Sequence, residues 1–399
     1  MKNEKAGELD FRSLTYPMST EARWFGREGG MRMAELSLCM IVRNEEERLS
    51  ACLTSVQGAV DEIVILDTGS TDGTREVARR FTDRVIDYVW EDDFAAARNA
   101  SFAHASKPYI LWLDADDVLD APEREKLISL KARLDGTVDA VFLPYHYAFR
   151  EDGTVTLAFE RERIVRRGAG FVFSGVVHEA MAVSGRILHE DIAVRHTRTH
   201  SNGRRNLEIY ERWLARGRRM SARDQYYYGR ELMVCGEYAR AEQAFDAFLR
   251  MDGWIENVLD AHVQRAACLS KLGREGEARR SLLCALTFGA PRPEALCALG
   301  EGWLREGDLS AAAFWYRAAM LCRAPLSSGG FVNPDAAEYI PLMQLCVIYD
   351  RMGDMERASE MNERALLAHP GDKSALANRA YFAQKLAPEG EGGALEGKG

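Results

Sequence analysis

The chain of 399 residues is short of four things. It has no run approaching the roughly 18 apolar residues of a membrane-spanning helix, and its first thirty residues lack the apolar core of a secretion signal. Both absences predict a cytoplasmic protein with no transmembrane segment. It also has little basic charge to spare: 52 Lys and Arg against 61 Asp and Glu give a net charge of −9. That balance leaves no electrostatic footprint for nucleic acid. Locally, Arg204, Arg205, Arg212, Arg216, Arg218 and Arg219 still gather into one basic segment, open to a diphosphate, an anionic lipid or solvent. Finally, none of the eight cysteines forms a C-x-x-C pair. The six after residue 230 fall at positions expected to be buried, which predicts reduced thiols rather than a disulfide framework.

What is present is concentrated in Tyr109-Ile110-Leu111-Trp112-Leu113-Asp114-Ala115-Asp116-Asp117, an apolar strand that empties into three carboxylates within four residues. Carboxylates so crowded repel one another unless a hard cation sits among them. Mg²⁺ and Mn²⁺ favour oxygen ligands and bridge readily to a diphosphate. A solvated acidic turn before the helix that begins near Pro122 is the plainer alternative, and the surrounding sequence decides against it.

Upstream, strand and helix patterns alternate. Leu36 to Val42 is a short apolar run, followed by Arg43-Asn44-Glu45 and by Leu49, Cys52, Leu53 and Val56 at helical spacing. Glu62 to Leu66 is a second strand that ends at Asp67 and turns through Thr68 to Gly73 into a helix. Val85 to Val89, Phe94 to Ala105 and Tyr109 to Leu113 continue the series. Such alternation predicts an α/β fold with a mostly parallel sheet and right-handed crossovers. Asp67 and the Asp114 to Asp117 cluster then share the carboxyl edge, where ligands bind in open α/β sheets.

In order and spacing, Ser37-Leu38-Cys39-Met40-Ile41-Val42-Arg43-Asn44-Glu45, Leu66-Asp67-Thr68-Gly69-Ser70-Thr71-Asp72-Gly73-Thr74, Ala97-Arg98-Asn99 and Leu113-Asp114-Ala115-Asp116-Asp117 resemble the family 2 glycosyltransferases of GT-A fold. The resemblance covers roughly Ser37 to His200 and is stronger in its first half. It implies metal-dependent transfer of a sugar from a nucleotide donor, commonly a UDP-sugar, with inversion at the anomeric carbon. It further assigns Val42, Arg43, Asn44, Glu45, Asp67, Asp72, Arg98, Asp114 and Ala115 to the nucleotide-sugar, and Asp116 to Mn²⁺ or Mg²⁺. The residues suit those roles. A strand-end carboxylate such as Asp67 can accept from an imide N–H or ribose hydroxyls, and the guanidinium of Arg98 is a planar fork for phosphate or a base edge. Each has a plainer role too: Asp72 as a helix or Asx cap, Arg98 as a solvated surface charge.

Beyond Asp117 the pattern thins. Val138 to Phe149 and Val155 to Phe159 read as strands around a turn at Asp152-Gly153, and Phe171-Val172-Phe173 leads into Ser174-Gly175-Val176-Val177-His178-Glu179. Related glycosyltransferases carry a histidine-glutamate pair after a glycine near the acceptor side, which makes Glu179 the candidate general base; a structural pair is the alternative. Inverting transfer needs one such base, worth about 10² to 10⁴ in rate, whereas a glycosidase would need a matched acid and base. A late histidine often completes the metal site in this family. His196, at the end of Ile192-Ala193-Val194, is the candidate, with His200 behind it.

After Asn202 the chain changes character. Gly236, Gly273, Gly307 and Gly353 are each followed five residues later by alanine, at spacings of 37, 34 and 46 residues. The last spacing is widened by a Gly/Pro-containing insertion, Pro325 to Asp335. A period near 34 with glycine in the turn resembles tetratricopeptide repeats. The expected organisation is an N-terminal extension over 1–34, a GT-A domain over 35–203, an all-α helical solenoid over 204–386 and a disordered tail over 387–399. A catalytic domain joined to such repeats resembles the bacterial peptide S-glycosyltransferases of the sublancin type. That predicts a peptide, protein or glycan acceptor, with the repeats either presenting it or joining copies into a homo-oligomer. Alternatives are an enzyme of cell-surface polysaccharide or lipooligosaccharide, and a scaffold with a degenerate catalytic domain. Donor chemistry and acceptor choice should come apart near Arg205.

Overall fold

The structure is a computed structural model that describes residues 33–149, 153, 155–197, 203–322 and 333–386. The expected terminal tail, nearly all of the N-terminal extension, His200 and most of the Pro325 to Asp335 insertion lie outside these residues. The apolar run Leu36–Val42 forms β1 and is flanked by two parallel neighbours, β2 (Glu62–Asp67) and β4 (Tyr109–Trp112). The crossovers are the short helices α1 (Leu49–Ser55), α2 (Thr74–Ala78) and α3 (Phe94–Ala103), with β3 (Val85–Asp87) at the edge beside β2. This is the doubly covered parallel arrangement that alternating strand and helix patterns predict.

The sheet then turns antiparallel. β6 (Ala140–Phe149) and β7 (Val155–Arg166) form a long hairpin, and β7 lies antiparallel to β4. Two very short strands close the far side: β5 (Asp117–Val118) pairs antiparallel with β11 (Val194–His196), and β11 pairs parallel with β6. The order is β3-β2-β1-β4-β7-β6-β11-β5, with β10 (Ile187–His189) also against β6. β7 runs seven residues beyond Phe159, where the sequence reading ended it. Side chains alternate across the sheet. Leu38, Met40, Tyr109, Leu111 and Leu113 pack toward α1 and α4 (Ala121–Lys131), while Cys39, Ile110 and Trp112 face α3 and the hairpin of β8 (Phe173–Ser174) and β9 (Ala180–Met181).

From Arg205 the chain is helical. α5 (Arg205–Ala215) is followed by antiparallel pairs: α6 (Ala222–Val234) with α7 (Tyr238–Phe248), α8 (Ile255–Lys271) with α9 (Glu275–Ala285), α10 (Pro293–Arg305) with α11 (Leu309–Met320), and α12 (Tyr339–Arg351) with α13 (Met355–Ala368). α14 (Lys373–Lys385) closes the series. The repeating glycines sit in the turn within each pair. Gly236, Gly273, Gly307 and Gly353 have φ between +74° and +84°, the left-handed backbone that ends a helix cheaply only at glycine. The alanine five residues on is buried in every case. In two pairs the first helix adds a glycine under a ring of the second: a Cβ on Gly229 would lie 2.8 Å from Phe245, and one on Gly300 2.9 Å from Tyr316. The cysteines follow the burial expectation only in part, since Cys268 and Cys346 are buried but Cys284 is exposed; all eight are free.

Candidate active site

Register fixes the site. Val42, Asp67 and Asp87 are paired neighbours at the carboxyl ends of β1, β2 and β3, and the two loops that follow β1 and β2 are stitched together there. Asn44 Oδ1 accepts from Thr71 N at 2.8 Å, Asn44 N donates to Ser70 Oγ at 3.1 Å, and Glu45 N donates to Thr74 Oγ1 at 2.7 Å. Gly73 N donates to the Glu46 carboxylate. Asn44 holds φ at +55°, a conformation that costs a non-glycine residue about 1–3 kcal/mol unless its surroundings impose it. Arg43 and Asn44 are exposed.

Asp67 is fully buried at the base of this rim. Its Oδ1 accepts from Gly69 N and Ser70 N, both at 2.9 Å, and from Arg75, which also reaches Asp87 at 2.8 Å. Burial alone would raise its pKa, but those hydrogen bonds outweigh it and hold the carboxyl below its ordinary value. Oδ2 has no hydrogen-bond partner among the described residues. Asp72 takes its capping role: it accepts from Thr74 N at 3.1 Å and from Glu46 N at 3.4 Å, tying the two loops.

At the end of β4 the acidic cluster splits into distinct environments. Asp114 N donates to Asp117 Oδ2 and Asp117 N donates to Asp114 O, both at 3.0 Å, a tight turn that throws Asp116 to the far side. Asp117 is wholly buried. It accepts from Arg163 at 3.0 Å and from the Tyr145 hydroxyl at 2.9 Å. Asp117 lies opposite His196 in the β5–β11 ladder, which brings His196 Nδ1 to 3.5 Å from Asp116 and 3.6 Å from Asp117. One ligand atom from each of Asp116, Asp117 and His196 falls within a 4.8 Å span, a donor set that fits a hard or borderline divalent cation. Burial pushes the His196 imidazole down, but the nearby Asp117, Asp116 and Asp114 carboxylates outweigh that and raise it above 6.5. The ring also stacks on Tyr147, 5.0 Å away and nearly parallel. Ala115 is buried beneath this turn.

Arg98 and Glu179 meet. The Arg98 guanidinium donates from Nε to Glu179 Oε1 at 2.5 Å and from Nη2 to Asp114 Oδ1 at 2.6 Å, and lies 4.6 Å from the centre of the Trp112 ring. Only 6% of Arg98 is exposed. It is thus neither a solvated surface charge nor open to a diphosphate in this state, but a strut between two carboxylates. Trp112, fully buried, is also approached by Arg163 at 4.1 Å and Arg161 at 4.9 Å. Sequence reasoning missed Arg161, Arg163, Trp112 and Tyr145. The alternation Arg161-Glu162-Arg163-Ile164 was a strand signal that its charge disguised.

Glu179 ends the loop Gly175 to Glu179, and His178 within it has φ of +52°. His178 Nε2 lies 2.6 Å from Glu231 of α6, so this pair is bound to the helical region. The basic segment is used in part the same way: Arg212 and Arg216 grip Asp92, in the loop before α3, at 2.8 and 2.9 Å. Val176 and Val177 share one buried cluster with Leu207, Tyr210, Tyr226 and Phe245. A clean division near Arg205 is therefore not what the packing provides.

The family described as glycosyl transferase family 2 matches residues 37–181. A TPR repeat-containing protein of Synechococcus elongatus is 33% identical over 305 residues, which cover 73% of this chain and 67% of that one. Glycosyltransferase SunS of Bacillus subtilis is 30% identical over 221 residues, 52% of this chain and 50% of its own length. The lipopolysaccharide core biosynthesis glycosyltransferase LpsC of Rhizobium meliloti is 33% identical over 159 residues, 38% and 58% respectively. The chain thus spans about two thirds of the first relative and half of the second. With a matching family 2 domain followed by a helical repeat region on one chain, the protein belongs to the family 2 glycosyltransferases that carry tetratricopeptide repeats.

Proposed function

We propose that the enzyme transfers a sugar with inversion from a UDP-sugar to an acceptor carried by a peptide or protein, using a divalent cation at Asp116 and His196. The observation that carries the reading is the convergence of Asp116, Asp117 and His196 at the carboxyl edge of β4. Mn²⁺ or Mg²⁺ bound there would offset charge on the departing diphosphate. Asp117 is engaged by Arg163 and Tyr145, so its share is to anchor the turn that presents Asp116.

The chain's own residues do the rest. The rim formed by Val42, Arg43, Asn44 and Glu45 borders the nucleoside, with Asp67 Oδ2, a buried acceptor in want of a donor, reading the uracil imide or the ribose. Asp72 holds the rim in shape. Asp114 and Ala115 line the diphosphate path, and Arg98 orients Asp114 and Glu179 together. As the acceptor nucleophile bonds to the anomeric carbon, the carbon–oxygen bond to the diphosphate breaks and Glu179 takes the nucleophile's proton, a contribution of about 10² to 10⁴ in rate.

The helical solenoid supports a peptide or protein acceptor, since stacked repeats offer an extended concave surface; it also supports pairing of two copies. Likeness to LpsC favours a second reading, a glycan of the cell surface as acceptor. Among the described residues no helix is long and apolar enough to cross a membrane, in keeping with a cytoplasmic location. The test is turnover of UDP-sugars with and without Mn²⁺. Asp116→Ala should lose about 10² to 10⁴ in rate, since a metal supplies several kcal/mol at about 1.4 per tenfold. Full activity of Asp116→Ala in chelator-treated buffer would contradict the site.

A further inference from the structure

We propose that helix α6 is part of the catalytic apparatus: Glu231, Arg223 and Asp224 act as positioning residues that hold the Gly175 to Glu179 loop and thereby set the Glu179 carboxylate. The inference rests on the reading of Glu179 as the acceptor-side base, and it makes the helical region necessary to the chemistry and not only to acceptor choice.

The loop is gripped at each residue from 176 to 178 by the helical region. Val176 N donates to Asp224 Oδ1 at 3.1 Å, and Tyr210 of α5 donates its hydroxyl to Val177 O at 3.3 Å. Arg223 Nε donates to His178 O at 2.9 Å. The His178 ring lies 4.3 Å from the Tyr227 ring at 17°, a stacked pair, while its Nε2 sits 2.6 Å from Glu231 Oε1. Glu231 is itself buried and also accepts from Asn206 at 3.2 Å. On the sheet side the loop has few ties: Val176 O accepts from Phe94 N at 2.9 Å, and Glu179 meets Arg98.

Backbone strain strengthens the argument. His178, immediately before Glu179, is held at φ +52°, and such a conformation persists only where its surroundings over-determine it. Here the surroundings are α6. Asp224 is fixed in turn, because it completes a reciprocal capping box with Ser221 at the start of that helix. Release of α6 would leave the loop held by the Phe94–Val176 hydrogen bond, the β8–β9 pairing and the Arg98–Glu179 contact, and a displacement near 1 Å at a reacting group can cost about 10² in rate. A peptide or protein bound along the repeats could act on the base through the same contacts.

The test uses the full chain with Glu231→Ala, Glu231→Gln and, as a control, Glu242→Ala, which breaks a part-buried pair with Arg265 between α7 and α8 away from the loop. Three quantities are measured: amide exchange over residues 175–181, affinity for UDP with Mn²⁺, and kcat and KM for UDP release from UDP-glucose, UDP-galactose and UDP-N-acetylglucosamine. Glu231→Ala should speed exchange in the loop and lower kcat by about 10²-fold, with UDP affinity and KM unchanged. Glu231→Gln, which still accepts from His178, should recover most of kcat. Glu242→Ala should lower stability and leave kcat alone. Wild-type exchange and kcat in Glu231→Ala, or an equal loss of kcat in Glu242→Ala, would overturn the proposal. If the wild type neither binds UDP nor turns over any of the three sugars, the transferase chemistry assigned to this site fails instead, and the exchange measurement still decides whether α6 holds the loop.

Discussion

At the carboxyl edge of the sheet the protein buries charge, and along the repeats it buries alanine and rings. Asp67, Arg98, Asp116, Asp117, Arg163 and Glu179 are all nine-tenths or more enclosed, although desolvating ions is costly and apolar side chains of similar volume often give equal or greater stability. The helical region avoids most of that cost. Its repeat positions are Ala241, Ala278, Ala312 and Ala358, packed with Phe245, Phe248 and Tyr316 and separated by left-handed glycines. The contrast separates two uses of an interior: one group of residues is locked into a network of ion pairs and hydrogen bonds, the other sets how closely two helices can approach.

The largest effect that could break this comparison comes from cutting between the two regions. A chain ending near Arg205 exposes Val176 and Val177 and removes the Leu207, Tyr210, Tyr226 and Phe245 side chains packed on them; it should not give a folded catalytic domain, as circular dichroism and thermal melting would reveal. A cooperative melt at the wild-type temperature would mean the regions are independent after all. Next in size, Arg163→Ala leaves Asp117 buried without its cation and should cost about 3–5 kcal/mol, read from urea unfolding. In the repeats, Gly300→Ala drives a methyl into the Tyr316 ring and should cost about 1–3 kcal/mol. Equal losses from Arg163→Ala and Gly300→Ala would blunt the contrast.

A smaller effect concerns pH. The His196 pKa is raised above 6.5, so in chelator its contribution to stability is fully present below 6.5 and is lost as pH rises through the folded value. Melting temperature should therefore fall with rising pH in that window, and His196→Gln should flatten the slope. Mn²⁺ should reverse it, because the cation requires the unprotonated ring. Smallest of all, Arg379→Ala removes an exposed pair with Glu363 and should leave the melting temperature unchanged, since exposed pairs of this kind often contribute nothing measurable.

Much of this was legible in the chain because the informative contacts are local or strictly periodic. Asp67 and the Asp114 to Asp117 cluster follow apolar strands directly, and glycine and alanine recur at a fixed offset, so the sheet edge and the repeats could both be read. What escaped depends on pairing across long stretches of sequence. Arg163 reaches Asp117 only because β7 lies antiparallel to β4, and charges at 160 to 163 made that strand look like a loop. His196 is named by the family resemblance, but its pairing with Asp117 runs through a two-residue ladder, too short to leave a period. The burial of Arg98 and the hold of α6 on His178 arise from tertiary packing between segments 53 or more residues apart, where neither spacing nor propensity carries a signal.

The claim at the centre is that the carboxyl edge of β4 binds a nucleotide diphosphate through a cation held by Asp116. Titration calorimetry of UDP into the full chain tests it most directly, with Mn²⁺ or with chelator, on the wild type and on Asp116→Ala. The account predicts binding for the wild type with Mn²⁺, and its loss both in chelator and in Asp116→Ala, with melting otherwise unchanged. Equal UDP affinity in all of these conditions would contradict it.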